Sequence, residues 1–231
     1  MQIQTFHSSS AGNLYRVSDG DTALLIEAGL PIKQIKKLLS FQVSGVSGCL
    51  ISHSHMDHAK AVKDLMKCGI DCYMTQGTAD ALDISWHRVH IIEAGKQFSI
   101  GRWQILPFMA IHNVESVGFL LDSENERLLF SVDTQYIKYR FRGLTHVMIE
   151  VNYDMKILRE NVNRGSLDIF LAKQIIQNHM SLDTVKGFFK ANDMSKVQEI
   201  HLLHLSNSNA DAERFKKEVQ EIVGRPVYIG G

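Results

Sequence analysis

The highest concentration of potential metal ligands in this sequence is a run of six residues, four of which can bind a metal ion. The run reads His53-Ser54-His55-Met56-Asp57-His58. It follows an apolar segment, residues 46–51, that we predict to be a β-strand. His53 and His55 lie two apart just after that strand, so a turn can point both at one ion. Asp57 and His58 begin the next predicted helix and can reach a second ion. Imidazole and carboxylate ligands suit zinc, and also manganese or iron.

Two further residues stand after apolar segments that we predict to be strands. His112 follows the strand at residues 103–108 and is a third histidine for the first ion. Asp133 follows the strand at residues 128–132, where its carboxylate is well placed to bridge two cations.

A late predicted strand offers two histidines for the second ion. His201 lies within this strand, residues 199–203, and His204 directly follows it. Strand alternation puts the two on opposite faces, so only one can face the site. The adjacent loop at residues 205–207 favours His204, and His201 is the competing candidate.

The elements that must position these residues are many short strands, with helices interspersed and concentrated late in the chain. Strands are predicted at residues 3–6, 14–17, 22–26, 46–51, 71–74, 90–92, 103–108, 117–121, 128–132, 147–150, 199–203 and 227–229. Helices are predicted at residues 31–39, 59–67, 155–161, 168–178, 181–191 and 210–223. This order favours an α/β fold, an αββα sandwich of two sheets with helices on both outer faces. No linker-like segment divides the sequence, so we predict a single domain, 1–231.

Composition narrows the class of protein. Lys plus Arg equals Asp plus Glu, at 25 each, so any contact with nucleic acid must come from a local patch. The three cysteines are sparse and odd in number, which favours reduced, buried thiols over a metal site at Cys68 and Cys72. The N-terminus does not have the pattern of a secretory signal, and no apolar run approaches the ~18 residues of a membrane helix. We therefore expect a cytoplasmic protein.

The motifs together resemble the metallo-β-lactamase superfamily, and within it the YycJ (WalJ) branch, which is related to RNase Z. The branch resemblance is carried by the segments Ser8-Ser9-Ser10-Ala11-Gly12-Asn13, Glu150-Val151-Asn152-Tyr153-Asp154, Asn178-His179-Met180-Ser181 and His204-Leu205-Ser206-Asn207. The resemblance implies two ions, zinc above all. The implied ligands of metal 1 are His53, His55, His112 and Asp133, and those of metal 2 are Asp57, His58, His204 and the bridging Asp133.

Three positions depart from the family pattern. Glu27 stands where Asp is usual and where the residue supports the ligand loop. Tyr153 replaces a histidine, and Asn113 replaces an Asp. None of the three removes an implied metal ligand.

The implied chemistry is hydrolysis. Two cations lower the pKa of a shared water from 15.7 toward ~7, and they neutralise charge on phosphoryl or carbonyl oxygens. Asp57 can also orient the attacking water. His179 is our candidate proton donor to the leaving group, with Glu150 as the partner that positions it. The alternative is that His179 caps the helix beginning near Ser181. His7 could also reach the cleft.

The substrate class stays open at this stage. We favour a nuclease that hydrolyses phosphodiester bonds of nucleic acid. A patch after Asp133, residues 136–142, alternates basic and apolar or aromatic residues and suits a phosphate backbone, although an ordinary solvated edge has the same pattern. The alternative is a phosphodiesterase for 3′,5′-cyclic mononucleotides, of the type found in phages. A thioester hydrolase of the glyoxalase II type and a non-catalytic metal-binding module are less favoured. The RNase Z resemblance also implies a homodimer.

Overall fold

The computed structural model describes residues 1–230, which form two compact units. Unit 1 comprises Met1–Met109 and Val114–Asn125, and unit 2 comprises Ala110–Asn113 and Glu126–Gly230. The single domain expected for 1–231 stays a prediction, and Gly231 lies outside the described residues.

Unit 1 contains a six-stranded sheet in sequential order. Its strands are β1 (Gln2–Ser9), β2 (Gly12–Ser18), β3 (Ala23–Ile26), β4 (Gly48–Leu50), β5 (Cys72–Met74) and β6 (Val89–Ile91). The pairs β1–β2 and β2–β3 are antiparallel, and the pairs from β3 to β6 are parallel. Strands β3 and β4 are completely buried, as expected for central parallel strands with apolar sequences. The unit also contains an antiparallel meander of β7 (Phe98–Ile100), β8 (Trp103–Met109) and β9 (Val117–Ser123).

Short helices cover the parallel half of the six-stranded sheet. They are α1 (Ile32–Leu38), α2 (Met56–Ala59), α3 (Val62–Lys67) and α4 (Gln76–Ala81). A 3₁₀ turn at Val43–Gly45 follows α1. Helices α1 and α3 pack on one apolar cluster, which they share with β3, β4 and β5. This cluster is the core beneath the histidine run.

Unit 2 is built on four parallel strands. They are β10 (Glu126–Ser131), β11 (His146–Glu150), β12 (Glu199–Leu203) and β13 (Val227–Ile229), each paired with the next. Its helices are α5 (Met155–Asn163), α6 (Ile169–Asn178), α7 (Leu182–Ala191) and α8 (Ala212–Val223). Asp154, Asp168, Ser181 and Asp211 cap the four helices by accepting hydrogen bonds from first-turn amides. No helix among residues 1–230 is long and apolar enough to cross a membrane.

The structure corrects several predicted elements. The helix predicted at 59–67 is two helices, because the Ala61 amide donates to the carbonyl of Ala28 instead of continuing α2. The turn predicted after Phe6 is shorter, since β1 continues to Ser9 and β2 begins at Gly12. Helix α4 and strand β7 were not predicted, because both are short and lack a clear apolar period.

Candidate metal centre

In unit 1, the four potential ligands of the histidine run lie close together where β4 ends. The ring centroids of His53 and His55 are 4.7 Å apart, and those of His53 and His58 are 4.3 Å apart. His58 Nε2 lies 3.2 Å from Asp57 Oδ2. His53 and His58 are completely buried, while the Asp57 side chain is 23% exposed. The side chains thus form one group of three imidazoles and a carboxylate, open to solvent at Asp57.

Buried polar groups fix the orientation of this group. Glu27 accepts a hydrogen bond from the Ser52 amide at 3.3 Å, and its other oxygen lies 3.5 Å from His58 Nδ1. Glu27 therefore contacts the ligand loop, as expected for the residue that stands where the family pattern has an Asp. Ser52 Oγ lies 2.8 Å from His53 Nδ1. The contact with Ser52 takes up Nδ1 of His53 and leaves its Nε2 as the atom that can face a metal.

Asn13 holds the ligand loop from β2. Its side-chain amide donates to the Asp57 carbonyl at 3.2 Å and lies 3.1 Å from His58 Nε2. Its own carbonyl oxygen accepts a hydrogen bond from the Tyr15 hydroxyl at 3.0 Å. Sequence reasoning used Asn13 only as part of a motif and missed this role. Its one sequence cue is its position in a small-residue turn beside a strand.

In unit 2, Asp133 lies among histidines from three other segments. Its carboxylate oxygens lie 3.9 Å from His112 Nε2, 3.5 Å from His204 Nδ1 and 3.7 Å from His179 Nδ1. The side chains of Asp133, His112 and His204 are each 4% exposed or less. A carboxylate surrounded by imidazoles in a buried place is a donor set for a divalent cation.

Glu150 and His179 form a pair beside Asp133. Glu150 Oε1 is 2.5 Å from His179 Nδ1, and Glu150 Oε2 accepts a hydrogen bond from the Thr134 amide at 3.1 Å. Glu150 is completely buried, and the His179 side chain is 18% exposed. Four donor atoms from Asp133, Glu150, His179 and His204 lie within 4.8 Å of one another. Both Glu150 oxygens therefore have partners within the protein, His179 for one and the Thr134 amide for the other.

His179 does not cap α7. It ends α6, and Ser181 accepts the capping hydrogen bond from Thr184 at the start of α7. The capping alternative for His179 is therefore wrong. The imidazole of His179 instead stacks on that of His204, with ring centroids 5.4 Å apart.

Asn152 is a second supporting residue that the sequence did not single out. Its side-chain amide donates to the His204 carbonyl at 2.9 Å and lies 3.3 Å from His204 Nδ1. Next to it, burial raises the pKa of Tyr153, and the nearby Glu150 raises it further. Tyr153, which stands where the family pattern has a histidine, packs with Leu158 and Ala172, and its side chain has a hydrogen bond with Ser181.

The backbone is strained at three of these residues. Glu27, Asp133 and His204 have φ angles of 65°, 46° and 54°. Each follows a strand, and left-handed conformations are costly for residues other than glycine, about 1–3 kcal/mol each. Such strain clusters at functional sites, where the surrounding structure enforces it.

His201, His7 and the cysteines make contacts of their own. His201 pairs with Glu199 at 3.2 Å and packs on Tyr228. His7 is 2.6 Å from the Gly12 carbonyl, so it closes the β1–β2 turn. None of the three cysteines forms a disulfide, and burial raises the pKa of Cys49 well above its usual range, with Cys72 raising it further. Cys49 and Cys72 are therefore packing residues of the core of unit 1, whereas Cys68 is half-buried outside it.

The patch at residues 136–142 has alternating exposure. Lys138, Arg140 and Arg142 are exposed, whereas Tyr139 and Phe141 are half-buried. Phe141 packs against Phe188 of α7, with ring centroids 6.5 Å apart. Phe141 is thus part of the protein interior, while Tyr136, 47% exposed, leaves one aromatic ring of the patch at the surface beside the three cations.

The comparisons with known proteins agree with this arrangement. The family model described as "Beta-lactamase superfamily domain" matches residues 22–204, which include all the predicted metal ligands. The chain belongs to this superfamily. It is 28% identical over 220 residues to the exodeoxyribonuclease WalJ of Streptococcus pneumoniae, covering 87% of this chain and 80% of the relative. It is 24% identical over 239 residues to the exodeoxyribonuclease YycJ of Bacillus anthracis, covering 96% and 89%.

The solved structures confirm the fold. The metallo-β-lactamase fold protein YhfI from Bacillus subtilis superposes with a TM-score of 0.77 at 15% identity, covering 98% of this chain and 95% of the other. This member of the superfamily therefore has the metallo-β-lactamase fold, and the predicted α/β class and αββα architecture are confirmed.

Proposed function

We propose that this protein is a metal-dependent phosphodiesterase that hydrolyses DNA, with two divalent metal ions. The proposed ligands are His53, His55, Asp57, His58, His112, Asp133 and His204. Imidazole nitrogens and carboxylate oxygens on closely spaced, largely buried side chains fit such ions. The hydrogen bond between Ser52 Oγ and His53 Nδ1, and the Glu27 carboxylate 3.5 Å from His58 Nδ1, are contacts of the kind that orient ligating histidines. Zinc is the first choice, and manganese or iron also suits this donor set.

The observation that carries the proposal is the contact of His179 with Glu150 beside Asp133. Divalent cations bound at the ligands would supply hydroxide at neutral pH and neutralise charge on phosphoryl oxygens. Asp57, partly exposed, is placed to orient the attacking water. The Glu150 carboxylate accepts a hydrogen bond from His179 Nδ1 and thereby leaves Nε2 for the substrate.

Hydrolysis of the phosphodiester forms one bond to phosphorus and breaks another. The water oxygen bonds to phosphorus as the bond from phosphorus to the leaving sugar oxygen breaks. An alkoxide is a poor leaving group, so the sugar oxygen must be protonated as it departs. His179 Nε2 donates this proton. The proton lost by the attacking water restores His179. Glu150 stabilises the charged imidazolium while it exists.

DNA is the proposed substrate because both curated relatives are named exodeoxyribonucleases and match nearly the whole chain. The competing substrate is a 3′,5′-cyclic mononucleotide, which needs the same bond chemistry. A cytoplasmic location and a homodimer remain predictions, and sedimentation of the metal-loaded protein would measure the dimer.

The test presents both substrate classes to the metal-loaded protein. 5′-Phosphorylated single- and double-stranded oligodeoxynucleotides and 3′,5′-cyclic mononucleotides are incubated with the protein and with its Asp57→Asn variant. We expect shortened oligonucleotides, intact cyclic nucleotides and little product with the variant. Linear mononucleotides formed from cyclic substrates, with DNA left intact, would replace the nuclease proposal with signal degradation.

A further inference from the structure

The outer side of α1, α2 and α3 carries an unusual concentration of lysines. We call these residues the lysine face: Lys33, Lys36, Lys37, Lys60, Lys63 and Lys67. All are exposed except Lys36, which is half-buried. The face lies wholly in unit 1, on the element that carries Asp57 and His58 and on its neighbours.

Packing of the apolar residues fixes the direction of these lysines. Ile35 and Leu39 at α1, and Val62, Leu65 and Met66 of α3, are buried in the same core cluster. The two helices therefore cover one side of the sheet with their apolar faces toward it. The lysines occupy the opposite faces and point to solvent.

The charge of this face is not balanced locally. Residues 32–67 contain six lysines and only two acidic residues, Asp57 and Asp64. Asp57 belongs to the proposed metal site, and Asp64 lies 3.3 Å from Lys67. Elsewhere in unit 1, Arg88, Lys96 and Arg102 are each engaged by carboxylates within 2.8 Å. A neutral chain thus has one strongly basic helical surface.

The lysines of the lysine face begin next to the proposed metal ligands in the sequence and continue along α3. Lys60 ends the short helix that begins at Met56 and contains Asp57 and His58. Lys63 and Lys67 follow on α3, four residues apart, a spacing that places their side chains on one side of that helix. At a helical rise of about 1.5 Å per residue, Lys63 and Lys67 are about 6 Å apart along α3. Successive phosphates of one DNA strand lie about 3.4 Å apart along a duplex, so this pair matches about two phosphate spacings.

We propose that the lysine face binds the phosphate backbone of a DNA strand whose scissile bond lies at Asp57 and His58. This inference rests on the proposed function and adds where the rest of the substrate lies. An anionic membrane surface is a poorer occupant, because membrane-bound helices bury an apolar face in lipid. Here α1 and α3 use their apolar faces for the protein core.

The experiment compares two triple variants with equal loss of charge. The test variant is Lys33→Gln/Lys37→Gln/Lys63→Gln, and the control is Lys190→Gln/Lys196→Gln/Lys217→Gln, whose lysines are exposed in unit 2. Binding of a fluorescent single-stranded oligonucleotide is measured against salt concentration, both variants carrying Asp57→Asn to prevent cleavage. The slope of log K against log salt should become shallower by about 2 for the test variant, since each lost phosphate contact removes about 0.7. The control should keep the parent slope.

Hydrolysis separates this inference from the proposed function. With Asp57 intact, the test variant should lose kcat/KM for DNA but keep kcat/KM for bis(p-nitrophenyl) phosphate, which is too small to reach the lysine face. Equal slopes and equal DNA cleavage for the two triple variants would overturn the lysine face while leaving the nuclease intact. If the parent protein cleaves neither substrate, the proposed function fails, and the binding slopes still decide the lysine face. Lysine-dependent binding to anionic phospholipid vesicles, with no binding to DNA, would assign the face to a membrane instead.

Discussion

Nδ1 of His179 lies 2.5 Å from Oε1 of Glu150, a carboxylate with no exposure to solvent. A buried carboxylate in this position fixes the orientation of the imidazole. The same imidazole lies 3.7 Å from Asp133, a proposed metal ligand. The proposed role of His179 as proton donor and the proposed role of Asp133 as ligand can be tested by separate substitutions.

Removing the proposed proton donor, His179, should mainly affect substrates with poor leaving groups. For His179→Ala we expect kcat on DNA to fall by about 10²–10⁴-fold, the usual contribution of a positioned acid. Hydrolysis of bis(p-nitrophenyl) phosphate should fall much less, because nitrophenolate leaves without a proton. Glu150→Gln should show the same pattern with a smaller loss. Kinetics on both substrates, with metal content measured alongside, make the comparison.

An equal loss on both substrates would contradict this role. So would a loss of bound metal in His179→Ala, which would make the histidine a ligand. His201→Ala is the matched control, because His201 lies on β12 and pairs with Glu199 away from this group.

Metal removal should abolish activity and lower thermal stability. The proposed ligands come from several separate segments, so bound ions tie those segments together and favour the folded state. Chelation should therefore lower Tm, and zinc or manganese should restore both Tm and activity. Asp133→Asn should bind fewer ions per chain by elemental analysis, whereas the exposed control Asp183→Asn should bind the parent number. An Asp133→Asn protein with two tightly bound ions would show that Asp133 is not a ligand.

The candidate ligands could be predicted from the sequence because local patterns indicate them. Four donors in six residues follow an apolar strand, and Asp133 and His204 each follow another. Strand ends are recognisable where an apolar run stops. The roles of Asn13 and Asn152 could not be found in this way, because Asn13 meets His58 across 45 positions of sequence and Asn152 meets His204 across 52. Such contacts depend on which strands pair, and the local periodicity of apolar residues gives no information about strand pairing.

In the fold, too, features set by neighbouring residues could be predicted, and features set by contacts between distant residues could not. Long strands and the capped helices of unit 2 were predicted within a few residues. The break between α2 and α3 was not, because it depends on Ala28, whose carbonyl takes the amide of Ala61. The left-handed backbone at Glu27, Asp133 and His204 also escaped prediction, because only a few per cent of residues other than glycine adopt it and residue type alone does not single out these positions.

Glu27→Gln should weaken metal binding without unfolding the protein. Glu27 accepts a hydrogen bond from the Ser52 amide and faces His58 Nδ1. An amide keeps the size of the side chain but loses the negative charge that orients the imidazole. Loss of such a supporting contact typically costs about 10–100-fold in metal affinity. Competition with a chromogenic chelator measures the affinity, and Glu93→Gln, on an exposed residue, is the control. Unchanged affinity in Glu27→Gln would limit Glu27 to a packing role.

Gly29 should tolerate no side chain, because it lies against the ligand loop. A Cβ placed on Gly29 would be 1.7 Å from the Asp57 carbonyl oxygen and 2.6 Å from the Asn13 amide nitrogen. Both neighbours are main chain, so the strain cannot be relieved by turning a side chain. We expect Gly29→Ala to lose stability at or above the upper end of the ~1–3 kcal/mol usual for overpacking, measured by urea unfolding. It should also lose metal affinity, since the displaced atoms belong to Asp57.

Gly45→Ala provides the matched control for this substitution. A Cβ there meets nothing within 4 Å, so its stability should stay within about 0.5 kcal/mol of the parent. If Gly29→Ala unfolds at the same urea concentration as Gly45→Ala and binds metal normally, the main chain from Asn13 to Asp57 is more adaptable than its packing indicates. If stability falls but metal affinity does not, the strain is taken up by Asn13 instead of Asp57. Loss of both ties the position of Asp57 directly to the absence of a side chain at Gly29.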